Sequence, residues 1–315
     1  VVVGIYVDKK LVIIAGFRKC GTTTLYDYLI ENAGIKKGRL KEPQLLNSGG
    51  AITKSLMLKY TELFESDTEI FIDGSTLLIG QPEIIAELKG MFKDVVVLIC
   101  VRNPIKRFLS AYWHNKGKAK SYEKRELNEL LIELKNYENP YFEEVENLKK
   151  LDFVREDLSI EYLRRENNID HDFTARNYYQ PYQYYGEGLY SHFLSELDKL
   201  DVGYEVLIFE EFANFSTKTH RILERHFLLK SKLPIFSVDN ENKTYNRSGF
   251  QFLEMSFVKV IKSLFPLSIK RKLRGVLFKA IDKPNNEQLK ILEELYESEI
   301  DFWRNYDERI DSLWR

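Results

Sequence analysis

The sequence predicts an α/β protein built in layers around a central parallel sheet, and three stretches predict it. Residues 11–15 (LVIIA) are an unbroken apolar run into Gly16, and helical spacing through Leu25, Tyr28 and Leu29 begins beyond Gly21. Residues 95–101 (VVVLICV) are a second apolar run, β-branched like strands buried on both faces of a parallel sheet, and Pro104 just after it suits the first turn of a helix. Between them, residues 82–92 (PEIIAELKGMF) have a proline start, apolar positions at Ile84, Ile85 and Leu88, and Gly90 near the end, which reads as the crossover helix that a parallel pair requires.

The first of these stretches has the form of an anion cradle. Gly16 and Gly21 bracket a loop, GFRKCG, whose backbone N–H groups can converge on oxyanions, and the helix that follows adds unpaired donors and a positive field. The spacing approaches the nucleotide-binding loop GxxxxGK[ST], and the fold expected is accordingly a P-loop-type three-layer one. Position 22 is Thr where that loop has Lys; the lysine is Lys19, inside the loop, beside Arg18 and Cys20 and followed by the hydroxyls of Thr22, Thr23 and Thr24. Such a site suits a phosphate with one neighbouring group and makes no obvious demand for a metal. A strained glycine turn without function is the alternative reading of this stretch by itself.

The second stretch, RNPIKRFLSAYWHN from Arg102, places Arg102, Arg107 and Ser110 where they can gather at the carboxyl end of its strand, the side on which open α/β sheets bind ligands. Two anion seats on one sheet imply a nucleotide with phosphates at both ends of its ribose.

Together the two elements resemble the sulfotransferases that use 3′-phosphoadenosine 5′-phosphosulfate. Residues 16–25 (GFRKCGTTTL) are similar to that family's 5′-phosphosulfate loop, and residues 102–112 to its 3′-phosphate motif, R-x-P-x-x-R-x-x-S. The resemblance implies that Arg18, Lys19, Cys20, Gly21 and Thr22 to Thr24 hold the 5′ end, that Arg102 and Ser110 hold the 3′-phosphate, and that Lys19 also serves catalysis. Lys41-Glu42-Pro43 is similar to the segment that supplies the acidic base in the carbohydrate-directed, heparan-type branch, which makes Glu42 the expected base, Lys41 an acceptor-side residue and a carbohydrate hydroxyl the expected acceptor. That branch usually carries Lys after the acidic residue that ends the second strand; here Gly74 follows Asp73, and Ser75 is the nearby hydrogen-bonding group. The late loop TYNRSG is similar to the family's closing loop, so Arg247, Ser248 and Gly249 are expected at the cofactor.

The remaining elements follow in order. VVVGIYV at residues 1–7 reads as an edge or hairpin strand turning through Asp8-Lys9-Lys10; residues 52–66 suit a helix; residues 70–72 form a short strand before Asp73. Residues 116–172 are dense in Lys, Glu and Asn with helical apolar spacing, and no Pro/Gly/Ser linker sets them apart, so a helical insertion within a single domain of 1–315 is expected. The tyrosine-rich stretch 175–190 could offer ring faces to a sugar, with Tyr182 and Tyr185 the candidates, and His114 is a candidate on the acceptor side. YEVLIFEEF from Tyr204 is another strand with an acidic turn, residues 216–229 a helix, and 285–314 a carboxyl-terminal helix with an aromatic tail.

Composition sets the bounds. The 315 residues are 44% hydrophobic and 30% charged, enough for one substantial core, and the formal charge of −1 from 47 basic and 48 acidic residues gives no global polyanion binder. Cys20 and Cys100 make no disulfide framework and are expected reduced. No apolar run approaches the length of a membrane span, and the acidic and basic residues show no nucleic-acid pattern. Sequons at Asn214, Asn242 and Asn246 are expected unused, in a bacterial cytoplasmic enzyme; a Golgi-lumenal domain freed of its anchor is the alternative. Competing functions are a sulfotransferase for a small phenolic or lipid acceptor, a P-loop kinase, against which Thr22 speaks, and a noncatalytic glycan-binding module.

Overall fold

Strand β1 (Val7–Gly16) is the spine of the sheet, and its last six residues are all buried. The computed structural model describes residues 6–46, 52–117, 123–148, 150–151, 182–230, 235 and 283–314, with the backbone of 245–246 and 279–280. Within it β1 pairs in parallel with β2 (Ile70–Asp73) on one side and β3 (Phe92–Val101) on the other, and β3 pairs in parallel with β4 (Glu205–Ile208), giving the order β2-β1-β3-β4. Leu11 sits opposite both Phe71 and Val95, so the apolar runs read from sequence lie side by side in register.

The hairpin expected through Asp8-Lys9-Lys10 does not form. Those residues belong to β1, because Val7 and Lys10 are held opposite Phe92 and Asp94 of a β3 that begins three residues earlier than its apolar run.

Helices α1 (Thr22–Asn32) and α2 (Lys54–Thr61, capped by Thr53) lie between β1 and β2, and α3 (Pro82–Met91), with Pro82 in its first turn, carries the chain to β3. After β3 come α4 (Pro104–Lys116), α5 (Leu127–Lys135) and α6 (Pro140–Leu148). The latter two are the described part of the helical segment expected at 116–172; residues 152–181 lie outside the described residues. Helix α7 (Tyr190–Lys199) leads to β4, α8 (Thr217–His226) follows it, and α9 (Asn286–Tyr306) and α10 (Ile310–Leu313) close the chain.

Two cores result. One wraps the sheet and includes Phe17, Cys20, Tyr190 and Trp303. The other joins α4, α5 and α9 through Phe108, Tyr112, Leu131, Tyr184 and Tyr296. Both cysteines are buried and free. Among the described residues no helix is long and apolar enough to cross a membrane.

Candidate functional site

The carboxyl ends of β1 and β3 lie side by side, and each delivers a basic loop to the same edge. Beyond β1, the Phe17 N–H donates to the Cys100 carbonyl of β3 at 2.9 Å, and the Cys20 N–H closes a turn on the Phe17 carbonyl at 3.2 Å. Lys19 (φ 68°) and Gly21 (φ 83°) are both left-handed, which reverses the chain tightly enough for α1 to start at Thr22 with its first N–H groups lacking intrahelical partners. Gly21 is required twice over: a β-carbon there would also stand 2.5 Å from the Phe209 ring. Thr22 is buried, Thr24 half-buried and Thr23 exposed.

Cys20 is fully buried, and burial pushes its thiol up to about 12, so it fills the loop and offers no thiolate. Arg18 is half-buried, with Nη1 enclosed and without a partner. Arg102, at the end of β3, donates from Nη1 to the Lys19 carbonyl at 3.2 Å and lies with its guanidinium carbon 4.6 Å from the Phe209 ring centroid; its Nε is enclosed and likewise unpartnered. Enclosed N–H groups are nearly always paired, and a guanidinium pairs best with an oxyanion. Two such orphans lie on the loops after β1 and β3, where an oxyanion would satisfy them.

Arg107 does not join Arg102 and Ser110 there. Its side chain is 0% exposed, pairs with the equally buried Glu187 at 2.9 Å, and donates to the Tyr184 carbonyl. As residue four of α4 it faces the second core, while Ser110 is half-buried on the same helix.

A strap at 41–44 crosses the end of β2. Lys41 Nζ contacts Glu42 Oε1 at 2.6 Å and Gln44 Nε2 donates to Glu42 Oε2 at 3.2 Å, leaving the Glu42 side chain 37% exposed. Gln44 is held in a left-handed conformation (φ 56°) as its N–H donates to Ser75 Oγ at 2.9 Å. The Ser75 N–H in turn donates to Asp73 Oδ1 at 2.7 Å, and Tyr60 donates to Asp73 Oδ2 at 2.8 Å. Burial pushes the Asp73 carboxyl up, against those hydrogen bonds, and the nearby Glu42 charge adds to the rise. Ser75 is thus a buried anchor of the strap.

Tyr182 and Tyr185 are 1% and 8% exposed and belong to the second core, where Tyr296 donates to the Tyr185 carbonyl. The open tyrosine platform expected there is not met at these two residues, because α4, α5 and α9 enclose them. His114 is exposed at the last turn of α4. Arg247, Ser248 and Gly249 lie outside the described residues. Sequence reading passed over Tyr190, which donates to the Arg102 carbonyl at 2.9 Å, and Phe209, which packs under both basic loops. Phe209 carried one usable signal, its place just past the carboxyl end of a strand; Tyr190 carried only its place in the tyrosine-rich stretch 175–190.

A separate cleft of about 890 Å³ runs along β4 and α8 and shares no residue with the cradle. Its charges largely satisfy one another, Arg225 with Glu205, Lys218 with Asp307 and Arg309 with Glu211.

The described architecture is that of an open α/β protein with a basic cradle at the carboxyl edge of a parallel sheet. No protein-family model and no curated protein matches the sequence. Among solved structures it is similar to a sulfotransferase from Alicyclobacillus acidocaldarius, at 18% identity and a TM-score of 0.42, over 84% of this chain and 100% of that one. A likeness of that size leaves the chemistry to this chain's own side chains.

Proposed function

We propose that the chain transfers a sulfuryl group from 3′-phosphoadenosine 5′-phosphosulfate to a hydroxyl of a carbohydrate. The observation that carries this is the pair of enclosed, unpartnered guanidinium N–H groups, one on Arg18 and one on Arg102, set on adjacent strand ends beside the start of α1. Each calls for an oxyanion, and a ligand anionic at both ends satisfies both.

Under this reading residues 18–24 hold the 5′ end, Arg102 and Ser110 hold the 3′-phosphate, and Arg247 to Gly249 complete the cofactor contacts. When bound, the donor supplies an activated sulfuryl group. Lys19 neutralises charge on the oxygen that leaves with the 5′-phosphate. Glu42 accepts the proton of the attacking hydroxyl and later gives it to solvent, as the new S–O bond to the acceptor forms and the S–O bond to the 5′-phosphate breaks. Lys41 and Gln44, on the two Glu42 oxygens, aim the carboxylate, and Ser75 fixes the strap that carries it. The carbohydrate class rests on the Lys41-Glu42-Pro43 resemblance alone, since the buried tyrosines lend it nothing.

Calorimetry with adenosine 3′,5′-bisphosphate and with ATP, each with and without magnesium, tests the donor. Tight bisphosphate binding that ignores magnesium is expected; preference for ATP with magnesium would replace the reading by a kinase. A labelled donor offered with desulfated glycans and with phenols then tests the acceptor, and sulfation of phenols alone would overturn the carbohydrate assignment. Glu42→Gln should abolish turnover while sparing bisphosphate binding.

A further inference from the structure

The two basic loops are joined by a closed circuit of hydrogen bonds that passes through one phenol. The Arg102 guanidinium donates to the Lys19 carbonyl at 3.2 Å; the Tyr190 hydroxyl donates to the Arg102 carbonyl at 2.9 Å; and the Cys20 sulfur lies 3.6 Å from the Tyr190 oxygen. The Cys20 thiol also lies 3.8 Å from the Arg18 carbonyl, and in its contact with Tyr190 either atom can be the donor. Lys19 and Cys20 are adjacent in the chain, so the circuit closes through their own peptide. Tyr190 is fully buried at the start of α7, with its ring 4.5 Å from Phe17 and 6.0 Å from Trp303, so packing fixes the hydroxyl from both sides.

We propose that Tyr190 is a positioning residue that holds the cradle after β1 and the arginine after β3 at a set separation, and so confers selectivity for a ligand carrying two anionic groups. This rests on the proposed donor. A ligand seated in one loop alone does not sense the separation, whereas one that bridges both does. Losing the brace therefore penalises the bridging ligand in particular.

Tyr190→Phe removes only the hydroxyl and keeps the ring packing. In titrations followed by calorimetry, adenosine 3′,5′-bisphosphate should lose about tenfold in affinity, the worth of one hydrogen bond, while AMP and adenosine 3′-monophosphate each change by less than about threefold. Amide hydrogen exchange of the unliganded protein should accelerate at both 17–23 and 102–103. An equal loss for all three nucleotides, or no loss for any, would overturn the brace. Failure of the wild-type chain to bind the bisphosphate at all would instead defeat the donor assignment, and exchange alone would then decide: faster exchange at both loops upholds the brace, and unchanged exchange at either overturns it.

Discussion

Replacing Arg107 by Met asks whether the second arginine after β3 binds ligand or supports the fold. Its guanidinium and the Glu187 carboxylate are 0% and 1% exposed and 2.9 Å apart. Methionine fills much of the space of the arginine stem, so the main cost is a carboxylate left buried without its cation, about 3–5 kcal/mol. The Tyr184 carbonyl also loses a donor and is left to share the single Tyr296 hydroxyl proton, 2.9 Å away, with the Tyr185 carbonyl at 3.0 Å. The pair is itself imperfectly satisfied, as Arg107 Nε has no hydrogen-bond partner. Arg107→Met with Glu187→Leu should therefore return to within about 1 kcal/mol of the wild type, as replacing both members of a buried pair often does. Urea unfolding followed by the fluorescence of the buried Trp303 and Trp314 measures the stabilities, and calorimetry on the folded protein measures bisphosphate affinity. The expectation is a large stability loss in the single variant with affinity within about threefold. Unchanged stability with affinity down tenfold or more would put Arg107 at the ligand and refute the assignment.

Arg102→Ala should weaken adenosine 3′,5′-bisphosphate by several tenfold and leave AMP nearly unchanged, since a single charge-assisted contact is deleted; equal losses on calorimetry would move Arg102 to the 5′ side. Gly21→Ala should destabilise by about 2–4 kcal/mol in urea, about 1–2 of it from the left-handed backbone and the rest from the Phe209 ring at 2.5 Å; Phe209→Leu should recover only the steric part. Glu144 is fully buried, accepts from the Tyr185 and Gly186 N–H groups at 2.9 and 2.8 Å, and burial pushes its carboxyl up from 4.5 to about 7. The folded state then keeps a proton that the unfolded chain releases, so this group's stabilisation is complete below about pH 4.5 and is lost as pH rises toward 7; Glu144→Gln should lose that slope in melting temperature measured across the window.

Much of this arrangement was legible because it is local. Five consecutive apolar residues at 11–15, a glycine at each end of the following loop and the run at 95–101 define strand, cradle and neighbouring strand without reference to any distant residue. The errors arose where a side chain's direction depends on tertiary packing. Arg107 and Arg102 look alike on the page, yet helical geometry turns Arg107 toward Glu187, eighty residues away in sequence. The tyrosines at 182 and 185 suit either a wet cleft or a core, and only the closing of α9 over them decides. Asp8-Lys9-Lys10 looked like a turn because charge and brevity suggest one; pairing with β3 holds them extended.

Gly74 shows how a single position misleads when its neighbour comes from another segment. The resemblance leads one to expect a lysine there, and its absence looks like a lost cation. In the fold the Gly74 N–H donates to the Lys41 carbonyl at 2.9 Å, and a β-carbon at 74 would stand 3.0 Å from that carbonyl and 3.4 Å from both Lys41 Cγ and the Tyr26 ring. The space a side chain at 74 would enter is filled by Lys41, whose ammonium lies 6.0 Å over the Tyr26 ring and 2.6 Å from Glu42. Its charge reaches the end of β3, where it partly offsets the burial that pushes the Cys100 thiol up. Lys41 thus places a cation directly beside Glu42. A side chain at 74 would press the strap at 41–44 back by a few tenths of an ångström, so neither Gly74 nor Lys41 is interpretable in the sequence without the other.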